Sequence, residues 1–175
     1  GLLSILEAAL VAACLMIMTG CTSGQVARQA PDWQVLVVIA TSFGIGAALQ
    51  KSGAAGVLAN GIIDLAGGNP WGTLVLVFTA TALLTAIATN NVAAVLAFPI
   101  ALSAASNMNV DIMPFAITIM VAASASFATP IGYQTNLMVY NAGGYRFMDF
   151  VRIGLPLTVL VGLVTVGLVP LIWGF

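Results

Sequence analysis

Ionisable side chains are scarce in this chain of 175 residues. Histidine is absent, Lys and Arg number four, Asp and Glu number five, and 61% of the residues are hydrophobic. A soluble domain carries roughly a quarter charged residues, so a charged fraction of 5% predicts a protein embedded in a lipid bilayer. The net charge of −1 argues against the basic surface on which nucleic-acid binding depends.

The missing residue types also limit the chemistry. Without histidine, and with Cys14 and Cys21 as the only thiols, the chain lacks the usual ligand sets for zinc, haem and iron–sulfur clusters. No Ser/His, Cys/His or paired-carboxylate set falls in the apolar segments, so we predict neither enzyme activity nor a cofactor. The acidic residues lie near the ends of apolar segments or outside them, which favours sodium over protons as a coupling ion.

Apolar segments predict an all-α polytopic membrane protein with about four transmembrane helices, one of them discontinuous. These helices cover residues 2–18, 35–49, 112–140 and 153–172. Asp32 is placed to cap the second span. Residues 54–66 are shorter and more polar, which predicts an interfacial arm helix, and the sequence Gly-Gly-Asn-Pro at 67–70 predicts a turn. Because the chain begins with Gly1 rather than methionine, we interpret it as part of a longer polypeptide.

A polar interruption, Thr89-Asn90-Asn91, divides the apolar segment 73–106. Hydrocarbon cannot hydrogen-bond irregular backbone, so a break at membrane depth must be buried in protein or line a cavity. The segment is either two full spans joined by a short loop or a re-entrant helical hairpin. Its arms of about 16 residues fall short of the ~20 needed for a crossing, which favours the hairpin. Asn90 or Asn91 would then cap the returning helix.

A second interruption occupies residues 128–136, Ala-Thr-Pro-Ile-Gly-Tyr-Gln-Thr-Asn. Pro130 removes a backbone donor and is expected to end a half-helix at about residue 127, which frees carbonyl groups near Ser126 and Phe127. A simple proline kink is the alternative interpretation.

The residues around this second break predict a close backbone contact and a new helix start. Gly132 permits close approach of another group to the backbone. Thr135 and Asn136 can cap the second half-helix. Ser124 and Ser126, one turn before the break, are secondary candidates for a cavity lining.

Two helix breaks at membrane depth are typical of transport proteins. The end of a half-helix carries partial negative charge and the start of the next carries partial positive charge. A hairpin tip offers both within a few ångströms, which suits a small cation bound beside an anion. The alternative for residues 89–91 is a polar cluster that only links helices by hydrogen bonds.

The few basic residues predict an orientation. Arg28, Arg146 and Arg152 fall on one side of the membrane and Lys51 on the other, whether 73–106 is a hairpin or a double span. The positive-inside rule places the loops with Arg28 and Arg146 in the cytoplasm.

These segments resemble the divalent anion:sodium symporter family of the ion transporter superfamily. Residues 88–94 are similar to the family's Ser-Asn-Thr hairpin-tip motif, and residues 128–136 are similar to the unwound loop in its following helix. Residues 143–150 resemble bacterial members that carry regulatory ligand-binding domains between their membrane halves. The chain is thus similar to the C-terminal inverted repeat of a bacterial permease.

The resemblance implies one half of an inverted-repeat elevator transporter that forms homodimers in a bacterial inner membrane, with the first repeat missing from this chain. It divides the chain into four parts: scaffold helices at 1–52, an interfacial arm and turn at 53–70, a transport-domain part at 71–141, and a final amphipathic segment and span at 142–175. The transport-domain part contains the hairpin 73–106 and the discontinuous helix 112–140.

Binding residues follow from the same resemblance. Substrate would contact Thr89, Asn90, Asn91, Thr135 and Asn136. Sodium, the only metal expected, would contact Thr89, Asn90, Asn91, Ala128, Thr129, Pro130 and Gly132. Asn91 stands where the family has threonine, so sulfate is as good a candidate as a dicarboxylate.

We therefore predict sodium-coupled symport of a small divalent anion, sulfate or a dicarboxylate, by an elevator mechanism. Another carrier of the superfamily, such as a citrate–metal carrier, an arsenite extruder or a sodium/proton antiporter, is the first alternative. A passive channel-type membrane module is the second.

Overall fold

A computed structural model describes residues 4–31 and 33–175, apart from the side chains of Gln34, Val35, Val38, Ser42, Gln134 and Asn141. Within these ranges the chain forms nine α-helices and no strand. They are α1 Ile5–Met18, α2 Gly24–Gln29, α3 Trp33–Lys51, α4 Ala54–Leu65, α5 Pro70–Ile87, α6 Asn90–Met108, α7 Met113–Ser124, α8 Gln134–Ala142 and α9 Phe147–Trp173. The predicted all-α class is confirmed for these ranges. Leu2, in the first predicted span, and Asp32, the predicted cap, lie outside the described residues.

Two compact units divide the chain between Val37 and Val38. In the first unit α1 begins with a capping box. Ser4 Oγ accepts a hydrogen bond from the Glu7 amide at 3.3 Å, and the Glu7 carboxylate accepts one from the Ser4 amide at 2.8 Å. The only charge of the first predicted span therefore lies in the first helical turn, where a carboxylate is favourable.

Three helices with fully described side chains, α5, α6 and α9, are long and apolar enough to cross a bilayer. Helices α5 and α6 are the arms of the predicted hairpin, and they contain 18 and 19 residues. At 1.5 Å per residue each is about 27 to 28 Å long, close to the ~30 Å hydrocarbon core. Arm length therefore does not favour re-entry over two full spans, in contrast to the argument from sequence.

The predicted arm helix is α4, which packs against α5 and α6. Ala55 and Ala59 are buried on its inner face, and Asn60 Oδ1 accepts a hydrogen bond from Asn107 Nδ2 of α6 at 2.7 Å. The predicted turn after it is confirmed, because Gly67 and Gly68 both have positive φ angles of 64° and 73°. Asn69 then caps α5 and Pro70 occupies its first turn.

The predicted discontinuous helix is present as α7 and α8, separated by nine residues, 125–133, which we call the break loop. Helix α7 ends at Ser124, three residues before the predicted end at 127, and six residues before Pro130. The interruption is therefore an extended loop rather than a proline kink. Tyr133 is the N-cap of α8, so the prediction that Thr135 and Asn136 cap this helix is wrong.

The core of the second unit is formed by α5, α6 and α7. Leu74 and Val77 of α5 and Phe115 and Ile119 of α7 pack against small residues of α6 at positions 97, 101 and 105, all alanine. Small side chains allow helix backbones to approach closely, which is the usual basis of helix packing in membranes.

Helix α9 begins at Phe147, six residues before the predicted span, because the Asp149 carboxylate accepts a hydrogen bond from the Arg146 amide at 2.8 Å. At the other end of α9, the Phe175 ring lies 5.9 Å from Trp71 and 6.1 Å from Phe115, measured between ring centroids. The starts of α5 and α7 and the end of α9 thus share one end of this unit.

Candidate functional site

The break loop joins the end of α5 through hydroxyl groups. Ser126 Oγ donates to Thr85 O at 3.2 Å, and Thr129 Oγ1 donates to Ala86 O at 2.7 Å. In the opposite direction, Thr85 Oγ1 donates to Ala123 O at the end of α7, also at 2.7 Å. The carbonyls in the last turn of a helix have no partner within the helix, so these contacts satisfy both helix ends and bring the two breaks together.

Gly132 lies deep in this contact. A Cβ atom at this position would overlap Ser126 Oγ and would lie 2.6 Å from Thr85 O and 3.1 Å from Thr129 Oγ1. Two oxygens of the break loop and one of α5 therefore lie close to the Gly132 Cα. The prediction that glycine permits close approach here is confirmed.

Asn136, in the first turn of α8, fixes the other side of the break loop. Its Nδ2 donates to Ser126 O at 2.8 Å and to Thr129 O at 3.2 Å. The carbonyl of Ser126 is therefore already paired, and the Phe127 carbonyl lies against Gly154 of α9. Of the predicted free carbonyls, that of Ser126 is therefore hydrogen-bonded to α8, and that of Phe127 packs against α9.

At the tip between α5 and α6, Ala88 and Thr89 have extended backbones. Thr89 is the N-cap of α6 and makes no side-chain capping bond, so the predicted cap at Asn90 or Asn91 is wrong by one residue. Asn90 instead starts the helix, and its Oδ1 accepts a hydrogen bond from the Asn91 amide at 2.9 Å. One of the unpaired amides of the first turn is therefore satisfied by its neighbour.

A small polar cavity of about 280 Å³ lies beside these breaks. It is lined by residues from α6, α7, the break loop and α8, namely Asn90, Ala123, Ser124, Ser126, Phe127, Tyr133, Thr135 and Asn136. None of these described lining residues is charged. The cavity therefore offers amides and hydroxyls rather than a countercharge.

The helix ends give this cavity its electrostatic character. The first turns of α6 and α8 both border it, through Asn90 and through Thr135 and Asn136. Helix N-termini carry partial positive charge and bind anions through their amides. The carboxyl ends of α5 and α7, which carry partial negative charge, meet at Thr85 and Ala123, and the α7 end also borders the cavity through Ala123 and Ser124.

Three predicted site residues line the cavity: Asn90, Thr135 and Asn136. Thr129 and Gly132 belong to the adjoining hydroxyl contact, and Pro130 is buried in the break loop. Thr89 and Asn91 are exposed and outside the lining.

Ala128 borders a separate apolar groove of about 520 Å³, which runs between α5 and α9. The nine predicted site residues therefore lie in two interruptions that meet, but they do not all face one space.

Thr85 and Tyr133 were not among the residues predicted to form the site. Thr85 repeats the position of Thr81 one helical turn later, and both are fully buried. The signal in the sequence that could have indicated Thr85 was a hydroxyl residue one helical turn before the polar interruption at 89–91. Among the described residues no group of three His, Cys, Asp or Glu side chains could hold a metal.

Known proteins align with most of the length of this chain. The chain matches the citrate transporter family, CitMHS, over residues 2–175. It is 41% identical over 151 residues to probable sodium/sulfate cotransporter 3 of Chlamydomonas reinhardtii, covering 85% of this chain and 17% of that protein. It is 44% identical over 161 residues to an uncharacterized transporter of Synechocystis sp., covering 91% of this chain and 26% of that protein.

An uncharacterized transporter of Escherichia coli, YfbS, is 36% identical over 169 residues, with 96% of this chain and 28% of that protein covered. The chain thus spans between 17% and 28% of the length of these relatives. These are transport proteins rather than enzymes, and they agree with the similarity to divalent anion:sodium symporters. The chain belongs to the citrate transporter family, within the ion transporter superfamily.

Proposed function

We propose that this chain is the C-terminal part of a secondary transporter that couples uptake of a divalent anion to sodium. The observation that carries the proposal is the meeting of two helix breaks beside one polar cavity. Two helix N-termini face the cavity, and two helix C-termini meet next to it. Such a pair of opposite partial charges suits the simultaneous binding of an anion and a cation.

The anion would occupy the polar cavity. Asn90, Thr135 and Asn136 supply amide and hydroxyl groups there, and the first-turn amides of α6 and α8 supply further donors. With no charged side chain in the described lining, a doubly charged anion would need a cation nearby to offset its charge. This requirement gives a physical reason for coupling.

Sodium would bind through neutral oxygens of the break loop and the end of α5. Ser126 Oγ and Thr129 Oγ1 donate their protons to carbonyls of α5, and Thr129 Oγ1 also accepts a hydrogen bond from the Gly132 amide at 3.3 Å. Each oxygen therefore keeps a lone pair for a cation. Hard cations prefer such oxygen ligands. Thr85 O and the Gly132 backbone complete the group of atoms that would surround the ion.

Two anions are supported by the comparisons. Relatives named sodium/sulfate cotransporters support sulfate, whereas the family is described as citrate transporters. A dicarboxylate such as succinate stays a third candidate, on the resemblance of the motifs. We place sulfate first, because Asn91 departs from the threonine of the dicarboxylate-type motif.

The rest of the transport mechanism is part of the same proposal. The first inverted repeat would lie elsewhere in the protein and supply a second cation site. The whole would work as a homodimeric elevator in a bacterial inner membrane, with Arg28 and Arg146 on the cytoplasmic side. Residues 1–52 would belong to the scaffold and residues 71–141 to the moving part, with 73–106 as a re-entrant hairpin.

An uptake assay on the complete transporter in proteoliposomes tests the function. We expect accumulation of one of labelled sulfate, citrate or succinate against its gradient only when an inward sodium gradient is present. Anion flux that equilibrates without sodium would indicate a passive channel instead. Accumulation driven by a proton gradient would favour a different carrier of the superfamily.

Asn90→Ala should abolish this uptake, because Asn90 is the α6 residue that lines the cavity. Ser106→Ala is the control, since it removes an exposed polar side chain near the other end of the same helix. Membrane insertion of both variants should equal that of the parent protein. Normal uptake by the Asn90 variant would remove this residue from the site.

A further inference from the structure

The break loop rests on α9 through Gly154. A Cβ atom on Gly154 would overlap the carbonyl carbon and oxygen of Phe127 and would lie 2.7 Å from the Ala128 amide nitrogen. The helix and the loop backbone are therefore in direct contact, with no side chain between them.

One turn later, Thr158 adds a polar contact to the same surface. Its hydroxyl donates to Gly154 O at 2.9 Å, and it also approaches Ala125 O at 3.4 Å. Gly154 and Thr158 thus contact the loop at its first residue and again at residues 127 and 128. We call this pair the α9 ledge.

The break loop separates two spaces. Ser126 and Phe127 line the polar cavity, whereas Ala125 and Ala128 line the apolar groove beside α9. A group that pushes the loop away from α9 must therefore push it toward the cavity. The same movement would displace the hydroxyls of Ser126 and Thr129, which are bonded to the end of α5.

We infer that the α9 ledge positions the break loop and thereby sets the affinity of the transporter for its cation. Gly154 and Thr158 are positioning residues, since neither belongs to the cavity lining. The inference rests on the proposed sodium site. Binding groups must be held within about 0.5 Å of their productive geometry, and a methyl group on Gly154 demands a larger shift than that.

Gly154→Ala is the main test, with Gly167→Ala as its matched control. Both residues lie in α9, but a Cβ on Gly167 would meet no atom within 4 Å. In the complete transporter we expect Gly154→Ala to raise the sodium concentration for half-maximal uptake at least tenfold. This value is conservative, because a misplacement of about 1 Å can reduce the rate at a binding or catalytic site roughly 100-fold. The KM for the anion should rise by a smaller factor, because Ser126 and Phe127 of the loop line the anion cavity whereas Asn90, Thr135 and Asn136 do not belong to the loop.

Thr158 provides a milder variant in case Gly154→Ala fails to fold. Thr158→Val removes the hydroxyl and should raise the half-maximal sodium concentration about fivefold, the effect of one hydrogen bond. Thr158→Ser keeps the hydroxyl and should restore the parent value. The inference would be overturned if Thr158→Val and Thr158→Ser lost maximal rate equally while the half-maximal sodium concentration stayed at the parent value.

A second measurement is independent of transport. Ile131, in the break loop, is 62% exposed, and Ile131→Cys can be labelled with a maleimide after Cys14 and Cys21 are replaced by serine. Adding Gly154→Ala should change the labelling rate, whereas adding Gly167→Ala should not. Equal rates would overturn the inference, even with altered sodium dependence, because the loop would not have moved.

The two proposals fail in different ways. If the parent transporter shows no sodium dependence, the proposed function is wrong, and the labelling comparison alone decides whether α9 positions the loop. If sodium dependence is present and both Gly154→Ala measurements match the control, only the ledge is wrong.

Discussion

Gly132 determines how closely the break loop approaches the end of α5. Its Cα faces Ser126 Oγ, Thr85 O and Thr129 Oγ1, and these oxygens leave no room for a methyl group. Two of them belong to the loop and one to the helix backbone. The side chain that is missing at position 132 therefore permits the contact between the two helix breaks.

We expect Gly132→Ala to reduce sodium-dependent uptake about 100-fold, because the added Cβ would displace the oxygens that form the proposed cation site. Initial uptake rates at saturating anion and several sodium concentrations check this. Gly61→Ala in α4 is the control, since a Cβ there would meet no atom within 4 Å. Uptake within twofold of the parent protein for Gly132→Ala would show that this contact is not needed for binding.

Among the helices, three threonines of α5 and α7 differ in burial and in hydrogen-bond partner. Thr85 Oγ1 bonds to α7 at Ala123 O, whereas Thr79 Oγ1 bonds within its own helix to Val75 O and is exposed. Thr118 of α7 is fully buried, and its hydroxyl has no partner among the described residues. The three hydroxyls should therefore contribute differently to stability.

Thr→Val substitutions at these positions test this order, because valine has nearly the same shape. Thr85→Val should lower the free energy of unfolding by about 1 kcal/mol, since it leaves Ala123 O without its donor. Thr79→Val should be nearly neutral, and Thr118→Val neutral or stabilising, because it removes an unpaired buried hydroxyl. Thermal unfolding of the detergent-solubilised transporter measures all three; a destabilised Thr118 variant would contradict the assignment.

The helices of the second unit also expose large apolar side chains. On α9, Leu160, Leu163 and Leu171 are 57%, 69% and 74% exposed. Exposed leucines on a 27-residue helix fit contact with lipid or with other parts of a longer membrane protein. The fold of this chain is therefore suited to a membrane rather than to water.

In the complete transporter, Thr89→Cys tests whether the α5–α6 tip belongs to the binding region. In a background without Cys14 and Cys21, which are both exposed, we expect maleimide labelling at Thr89 to slow when sodium and the anion are present together. Asn109→Cys, at the far end of α6, should label at a rate independent of both ligands. Rapid labelling at Thr89 that ignores both ligands would place the tip in bulk water instead.

Local signals in the sequence were sufficient for several helix boundaries. Gly67 and Gly68 formed the expected turn, because such residues act within one turn of the chain, although α5 begins at Pro70, three residues before the predicted segment 73–106. The break after Ile87 was equally visible, as polar residues interrupt an apolar segment. Such features depend on near neighbours and can be predicted without the fold.

Other features could not be predicted, because their partners are distant in sequence. Helix α7 ends at Ser124 rather than at residue 127. In the loop that follows, the hydroxyls of Ser126 and Thr129 donate to carbonyls at the end of α5. Asn136 bonds to loop carbonyls rather than capping α8, because Ser126 O and Thr129 O lie within reach of its side chain. Thr85 was not selected because its role appears only when α7 lies beside α5.

The helical class, the suitability for a bilayer and the two breaks could be predicted from the amino acids alone, because composition and turn residues act locally. Which oxygens meet is visible only in the folded chain. The contacts from Thr85, Ser126 and Thr129 span 38, 41 and 43 residues of sequence. The directions of such hydrogen bonds depend on how packed helices orient their ends, and no local pattern specifies that orientation.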